Sequence, residues 1–77
     1  MIEFVGKNME YRGSFVRTSA KTGNAYVVVA FESKSGDRFE CLAKKPEEFD
    51  QCQKGDVGDF VFEFNPRFNN FSALGVD

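Results

Sequence analysis

Arg17 and Lys21 sit in and beside a polar loop, Ser19 to Asn24, that carries a Thr-Gly-Asn turn; Tyr26 stands just beyond it. Two further groups are of the same kind. Arg38 and Phe39 are adjacent, and the run Arg67-Phe68-Asn69-Asn70-Phe71 sets a guanidinium beside two rings. Cations follow a phosphate backbone, and aromatic rings stack on bases at ~1–3 kcal/mol each. A ring and a guanidinium together can clamp a base. Each group also has a plainer reading. Arg17 and Lys21 are loop charges that keep the chain in water, Tyr26 is a strand residue with one edge buried, Phe39 is core, and Arg67–Phe71 is a packed hairpin tip.

Other chemistry has little to stand on. There is no histidine, and Cys41 and Cys52 alone are no zinc pattern. No Gly-x-Ser-x-Gly, no phosphate-cradling glycine loop and no carboxylate pair with a reason to meet is present. Cys41 within an apolar strand reads as a buried small residue rather than a nucleophile. The sequence therefore predicts no enzyme, no cofactor and no metal. The start Met-Ile-Glu-Phe-Val-Gly-Lys lacks an apolar leader core, and no apolar run approaches ~18 residues. The expectation is a cytoplasmic protein with reduced thiols and no membrane contact.

The elements that position these residues follow from periodicity. Residues 2–5 read as a short strand or arm, broken at Gly6 to Asn8. Residues 9–18 alternate, with Tyr11, Gly13, Phe15 and Arg17 on one side; Gly13 suggests a bulge or bend. Residues 25–33 hold three consecutive valines and form the strongest strand. Lys34-Ser35-Gly36-Asp37 is a hairpin turn, and residues 38–43 return with Phe39, Cys41 and Ala43 on one face. Pro46 then opens a helix of about two turns, where its missing N–H costs nothing. Phe49 and Cys52 face the core together, and Lys54-Gly55 ends it. Val57 to Asn65 is a fourth strand with Phe60, Phe62 and Phe64 on one face. Asn65-Pro66-Arg67 turns the chain into a fifth strand, Phe68 to Val76.

The chain has 77 residues and makes one domain, 1–77. A chain this short buries only about 60% of its unfolded surface. Ten phenylalanines offset that limit and exceed what a small core needs, so a surplus is available to a surface. The net charge is −2, against the basic balance usual in nucleic-acid binders. The charge is uneven: residues 1–45 hold eight Lys/Arg against five Asp/Glu, and residues 46–77 hold two against seven. A basic face on the first half is compatible with an acidic total. Glu47, Glu48, Asp50, Asp56 and Asp59 read as a solvated back face or a guide for a partner protein. Lys44-Lys45 reads as a solvated turn or a phosphate contact.

Five strands with a helix between the third and fourth is the order of the OB-fold, a small Greek-key barrel. The loop Ala-Lys-Thr-Gly-Asn-Ala-Tyr before a long second strand resembles the first loop of small single-stranded-DNA-binding OB-fold proteins. The ending, Lys54 to Phe64 then Arg67 to Asp77, resembles their last two strands. The layout is similar to compact phage and mobile-element proteins of the filamentous-phage gene V type. That resemblance implies an all-β, five-stranded OB barrel with a short helix. It implies a site on strands two and three, bounded by the first loop and the loop between strands four and five. On this sequence those positions are Arg17, Lys21, Tyr26, Arg38, Phe39, Arg67, Phe68 and Phe71. The implied ligand is single-stranded DNA or RNA, bound with little sequence preference in replication or protection of the strand. The implied assembly is a homodimer, with Ile2–Val5 available to pair across it, and a replication protein is a further partner. The alternative is a non-enzymatic protein-interaction barrel using the same face or the acidic half.

Overall fold

A computed structural model describes residues 1–77. The chain is mostly strand: β1 (Ile2–Thr18), β2 (Ala25–Glu32), β3 (Arg38–Ala43), β4 (Val57–Asn65) and β5 (Asn70–Val76). They pair in the order β1-β2-β3-β5-β4, and β4 returns to β1, so the sheet closes into a barrel. All pairings are antiparallel except β3 with β5, which is parallel and short, joining only Leu42 to Ser72 and Ala43 to Ala73. Closure matters in so small a chain because it removes edges that would otherwise recruit other strands.

One strand serves two neighbours. β1 pairs with β4 through its first half and with β2 through its second. The expected break at Gly6 to Asn8 is instead a bulge within a continuous strand: Gly6 lies opposite Phe60 and Met9 opposite Gly58. Asn8 takes a left-handed conformation there, φ 56°, and its N–H donates to Asp59 Oδ1 at 3.1 Å. Of the two expectations for residues 2–5, a short strand or an arm, the structure has the strand, as the start of β1. Ile2, Phe4 and Val5 lie opposite Phe64, Phe62 and Val61 of the same chain, so one edge of this segment is already paired, while the pairing with β2 on the other edge begins only at Glu10.

The second bulge is the one the sequence suggests at Gly13. Tyr11 lies opposite Phe31, yet Gly13 lies opposite Ala30. Arg12 is the extra residue, and Gly13 sits at φ 121°. An extra residue inverts the alternation beyond it. Tyr11 thus points into the barrel while Phe15 and Arg17 point out, which corrects the expectation that the three share a face. Across the bulge the Tyr11 hydroxyl is hydrogen-bonded to Ser14 Oγ, so the buried phenol keeps a partner.

The core is aromatic. Phe31 is fully buried and packs against the rings of Tyr11, Phe39, Phe49, Phe60 and Phe62 at centroid distances of 4.8–6.2 Å. Val29, Cys41, Ala43 and Ala73 fill the space between them. The expected two-turn helix is a single 3-10 turn, Pro46–Phe49. Its first turn holds Glu47 and Glu48, but no basic residue and no side-chain cap supports a longer helix. The turn is sufficient for its purpose: Phe49, 2% exposed, stacks near-parallel on Tyr11. Cys52 packs beside the same core. β5 starts at Asn70 rather than Phe68, because Pro66–Asn69 are turn residues. No helix is long and apolar enough to cross a membrane.

Candidate nucleic-acid interface

The outward face of β1, β2 and β3 carries three of the eight candidate residues, Arg17, Tyr26 and Arg38. Residues directly opposite in neighbouring strands share a face. Phe15 lies opposite Val28, and Val28 opposite Leu42; Arg17 lies opposite Tyr26; Gly13 lies opposite Ala30, and Ala30 opposite Glu40; Glu32 lies opposite both Glu10 and Arg38. The inward set from the same strands is Val29, Phe31, Phe39 and Cys41. The result is an apolar stripe of Phe15, Val28 and Leu42 with Tyr26 beside it. Phe15 is 46% exposed, Leu42 41% and Tyr26 39%.

A shallow depression of about 360 Å³ indents this face. Phe15, Ala30 and Glu40 line it, Arg12 and Arg38 rim it, and Lys54 reaches its lip from the loop before β4. Phe31 and Phe39 border it from the barrel side. Its size is at the small end of ligand pockets, which span about 300–1,000 Å³.

Each arginine on this face is paired with a carboxylate. Arg17 Nη2 donates to Glu40 Oε1 at 3.0 Å and Oε2 at 3.3 Å. Arg12 Nη1 donates to Glu10 Oε2 at 2.6 Å, and Arg38 Nε to Glu32 Oε1. Their charges balance. The Arg38 hydrogen bond holds the Glu32 carboxyl below its usual range, and Glu10 raises the Arg12 guanidinium. These pairs are solvent-facing and add little to stability. Their consequence is orientation: each guanidinium is tied to a glutamate. Lys44 is likewise engaged, donating to Glu63 Oε1 at 2.6 Å.

The structure divides the sequence candidates. Arg17, Tyr26 and Arg38 share the outer face. Lys21 is exposed in the first loop, which is closed by Ser19 N–H to Asn24 O at 2.9 Å and Gly23 N–H to Ser19 O at 2.8 Å. Phe39 lies on the opposite face of β3 from Arg38, with its ring 5.7 Å from both Phe31 and Phe71. Phe71 sits 6.4 Å from Phe62 and is 37% exposed. Phe39 and Phe71 thus form a wall rather than an open platform. Phe64, expected in the core, is only half-buried, opposite Phe71. Phe68 differs from these: it is 69% exposed at the tip of the β4–β5 turn. Arg67 is beside it, its N–H held by Asn65 Oδ1 at 3.0 Å. None of Lys21, Arg67 and Phe68 lines the depression.

Four contributors escaped the sequence reading. Phe15 was hidden by the Arg12 bulge, since simple alternation places it with buried Tyr11. Arg12 and Lys54 come to the depression through the bulge and a loop, neither of which spacing locates. Glu40 carried a readable signal, because alternation from buried Cys41 puts it on the outer face beside Arg38.

No protein-family model matches the chain, and no curated protein or solved structure is significantly similar to it.

Proposed function

We propose that this chain is an OB-fold barrel that binds single-stranded nucleic acid across the outer face of β1, β2 and β3. The strand order, with a parallel β3–β5 closure and a short helical turn between β3 and β4, supports the OB-fold assignment. The observation that carries the functional reading is the exposure of Phe15 and Tyr26 on one sheet face among Arg12, Arg17 and Arg38. Exposed rings beside guanidinium groups suit bases and phosphates together. Lys21 and the Arg67–Phe68 tip extend the same chemistry in the flanking loops. Single-stranded DNA in replication or protection is the preferred ligand class, and a homodimer the preferred assembly.

The test is a fluorescence titration with a labelled single-stranded oligonucleotide of mixed sequence, and with its duplex, at low and moderate salt. The expected result is preference for the single strand. The log–log salt slope is expected near −0.7 for each phosphate neutralised. Absence of binding at low salt overturns the reading.

A second reading, a protein-interaction barrel, is favoured by one observation: the three arginines of the face are each matched by a glutamate. A balanced face with an apolar stripe also suits a protein partner. Neutralising Lys21, which lies in the first loop and off the balanced face, weakens oligonucleotide binding under the first reading and leaves a protein partner's binding to that face unchanged under the second.

A further inference from the structure

Glu40 is an anion at the centre of a surface assigned to a polyanion. Its carboxylate lines the same depression as Phe15 and is 49% exposed in its side chain. Arg17 holds it with one nitrogen, Nη2, shared between both oxygens. A carboxylate offers about four lone-pair sites. One guanidinium nitrogen leaves the others free, and the Arg17 hydrogen bonds fix the group in direction. Glu32 is engaged differently: Arg38 Nε grips a single oxygen, its side chain is less exposed, and it does not line the depression.

A carboxylate fixed in direction beside an exposed ring selects among bases by their edges. It accepts hydrogen bonds and donates none. Guanine presents two adjacent donors, N1–H and the N2 amino group, spaced to meet two carboxylate oxygens. Thymine and uracil present one N–H between two carbonyl oxygens, which the carboxylate repels. Guanine's donor edge is its Watson–Crick edge, which is free only when the base is unpaired.

Resting on the single-strand reading above, we propose that the depression is a guanine-selective base site, in which Phe15 stacks the base and Glu40, held by Arg17, accepts from its N1–H and N2 amino group. The outer rim, Arg12, Arg38 and Lys54, then faces the flanking phosphates.

The experiment compares two labelled oligonucleotides of equal length: one all thymine, the other with isolated guanines among thymines. Both are titrated against the wild type, Glu40→Gln and Glu32→Gln. The wild type is expected to bind the guanine-bearing strand about 5- to 100-fold more tightly, the discrimination of one bidentate base contact. Glu40→Gln is expected to lose that preference while binding the all-thymine strand more tightly, since a negative charge is gone. Glu32→Gln removes an equal charge from the same face and is expected to strengthen both strands alike, with the preference kept. Ribonucleotide versions tell whether the strand is DNA or RNA, with the preference expected in whichever series binds. Tight binding of both strands with equal affinity overturns the guanine site and leaves the single-strand reading standing. The same holds if Glu40→Gln and Glu32→Gln behave alike. Binding of neither strand overturns the single-strand reading itself.

Discussion

Arg17 donates from Nη2 to both carboxylate oxygens of Glu40, tying the last part of β1 to β3 over the outer surface of β2. The two side chains are equally exposed, 49% each, so the pair adds little to folding stability. Its effect is on what the surface presents. With Arg17 in place, the region is neutral; without it, Glu40 stands uncompensated where a nucleic-acid strand is expected to lie.

Arg17→Gln is therefore expected to weaken oligonucleotide binding by more than the loss of one phosphate contact, because it removes a cation and exposes an anion together. Adding Glu40→Gln to it should recover most of the lost affinity for an all-thymine strand, a non-additivity typical of directly touching residues. Lys21→Gln has no such partner to expose. It should lower affinity modestly and reduce the salt slope by about 0.7. Titrations of the wild type, Arg17→Gln, Glu40→Gln, the double variant and Lys21→Gln over a salt series check this; additive effects of Arg17→Gln and Glu40→Gln would contradict it.

Phe15 and Phe39 provide a contrast between binding and folding. Phe15 is nearly half exposed, so truncation to alanine should leave the urea midpoint nearly unchanged and cost ~1–3 kcal/mol of binding. Phe39 packs against Phe31, Phe62 and Phe71, so Phe39→Ala should lower stability by roughly 2–4 kcal/mol. That loss is a large share of the total available to a domain of this size. Equal effects of the two substitutions on the urea midpoint would refute the assignment of their faces.

Most of this barrel is legible in the sequence because strands announce their faces by alternation. Phe60 and Phe62, and Cys41 and Ala43, are inside as their spacing says, and Arg38 and Glu40 are outside. The failures are local and have physical causes. Alternation is a count, and an extra residue at Arg12 resets it, so Phe15 is found on the side opposite Tyr11. The same holds at Gly6–Met9, where a polar break in the sequence is a bend in one continuous strand. The Pro46 segment has a helix-starting residue and acidic first turn, but packing asks only for Phe49 to reach Tyr11, and one 3-10 turn accomplishes that. The pairing of arginines with glutamates was out of reach because partners such as Arg17 and Glu40 meet only through strand register.

The Arg12 bulge depends on Gly13. At φ 121° a side chain is strained whatever space surrounds it. Gly13→Ala is expected to destabilise by ~1–3 kcal/mol in a urea melt, the usual cost of a non-glycine residue in such a region. The nearest atom to the added methyl would be Phe15 Cζ at 3.5 Å, an ordinary contact, so the cost is backbone strain rather than a clash. Gly58→Ala, at ordinary φ with open space around its Cβ, serves as the comparison and should cost less. A Gly13→Ala protein as stable as Gly58→Ala would show that the bulge does not need glycine.

Cys41 is 7% exposed between Val29 and the β5 backbone, and burial pushes its thiol from the ordinary 9.0 up to about 12, only partly offset by a hydrogen bond with the Ala73 backbone. The folded protein therefore keeps Cys41 protonated where an unfolded chain would release the proton. Below the unfolded value the two states hold the same proton and stability is unaffected. Between about 9 and 12 the unfolded state alone gains the thiolate, so stability falls as pH rises. Urea midpoints over this alkaline range should decline more steeply in the wild type than in Cys41→Ala, whose baseline is lower but lacks this titration. The thiolate is also the reactive form. At neutral pH an alkylating reagent should modify half-buried Cys52 first and reach Cys41 only as the barrel opens. Alkylation of Cys41 in the folded protein at the rate of a free thiol would overturn both expectations.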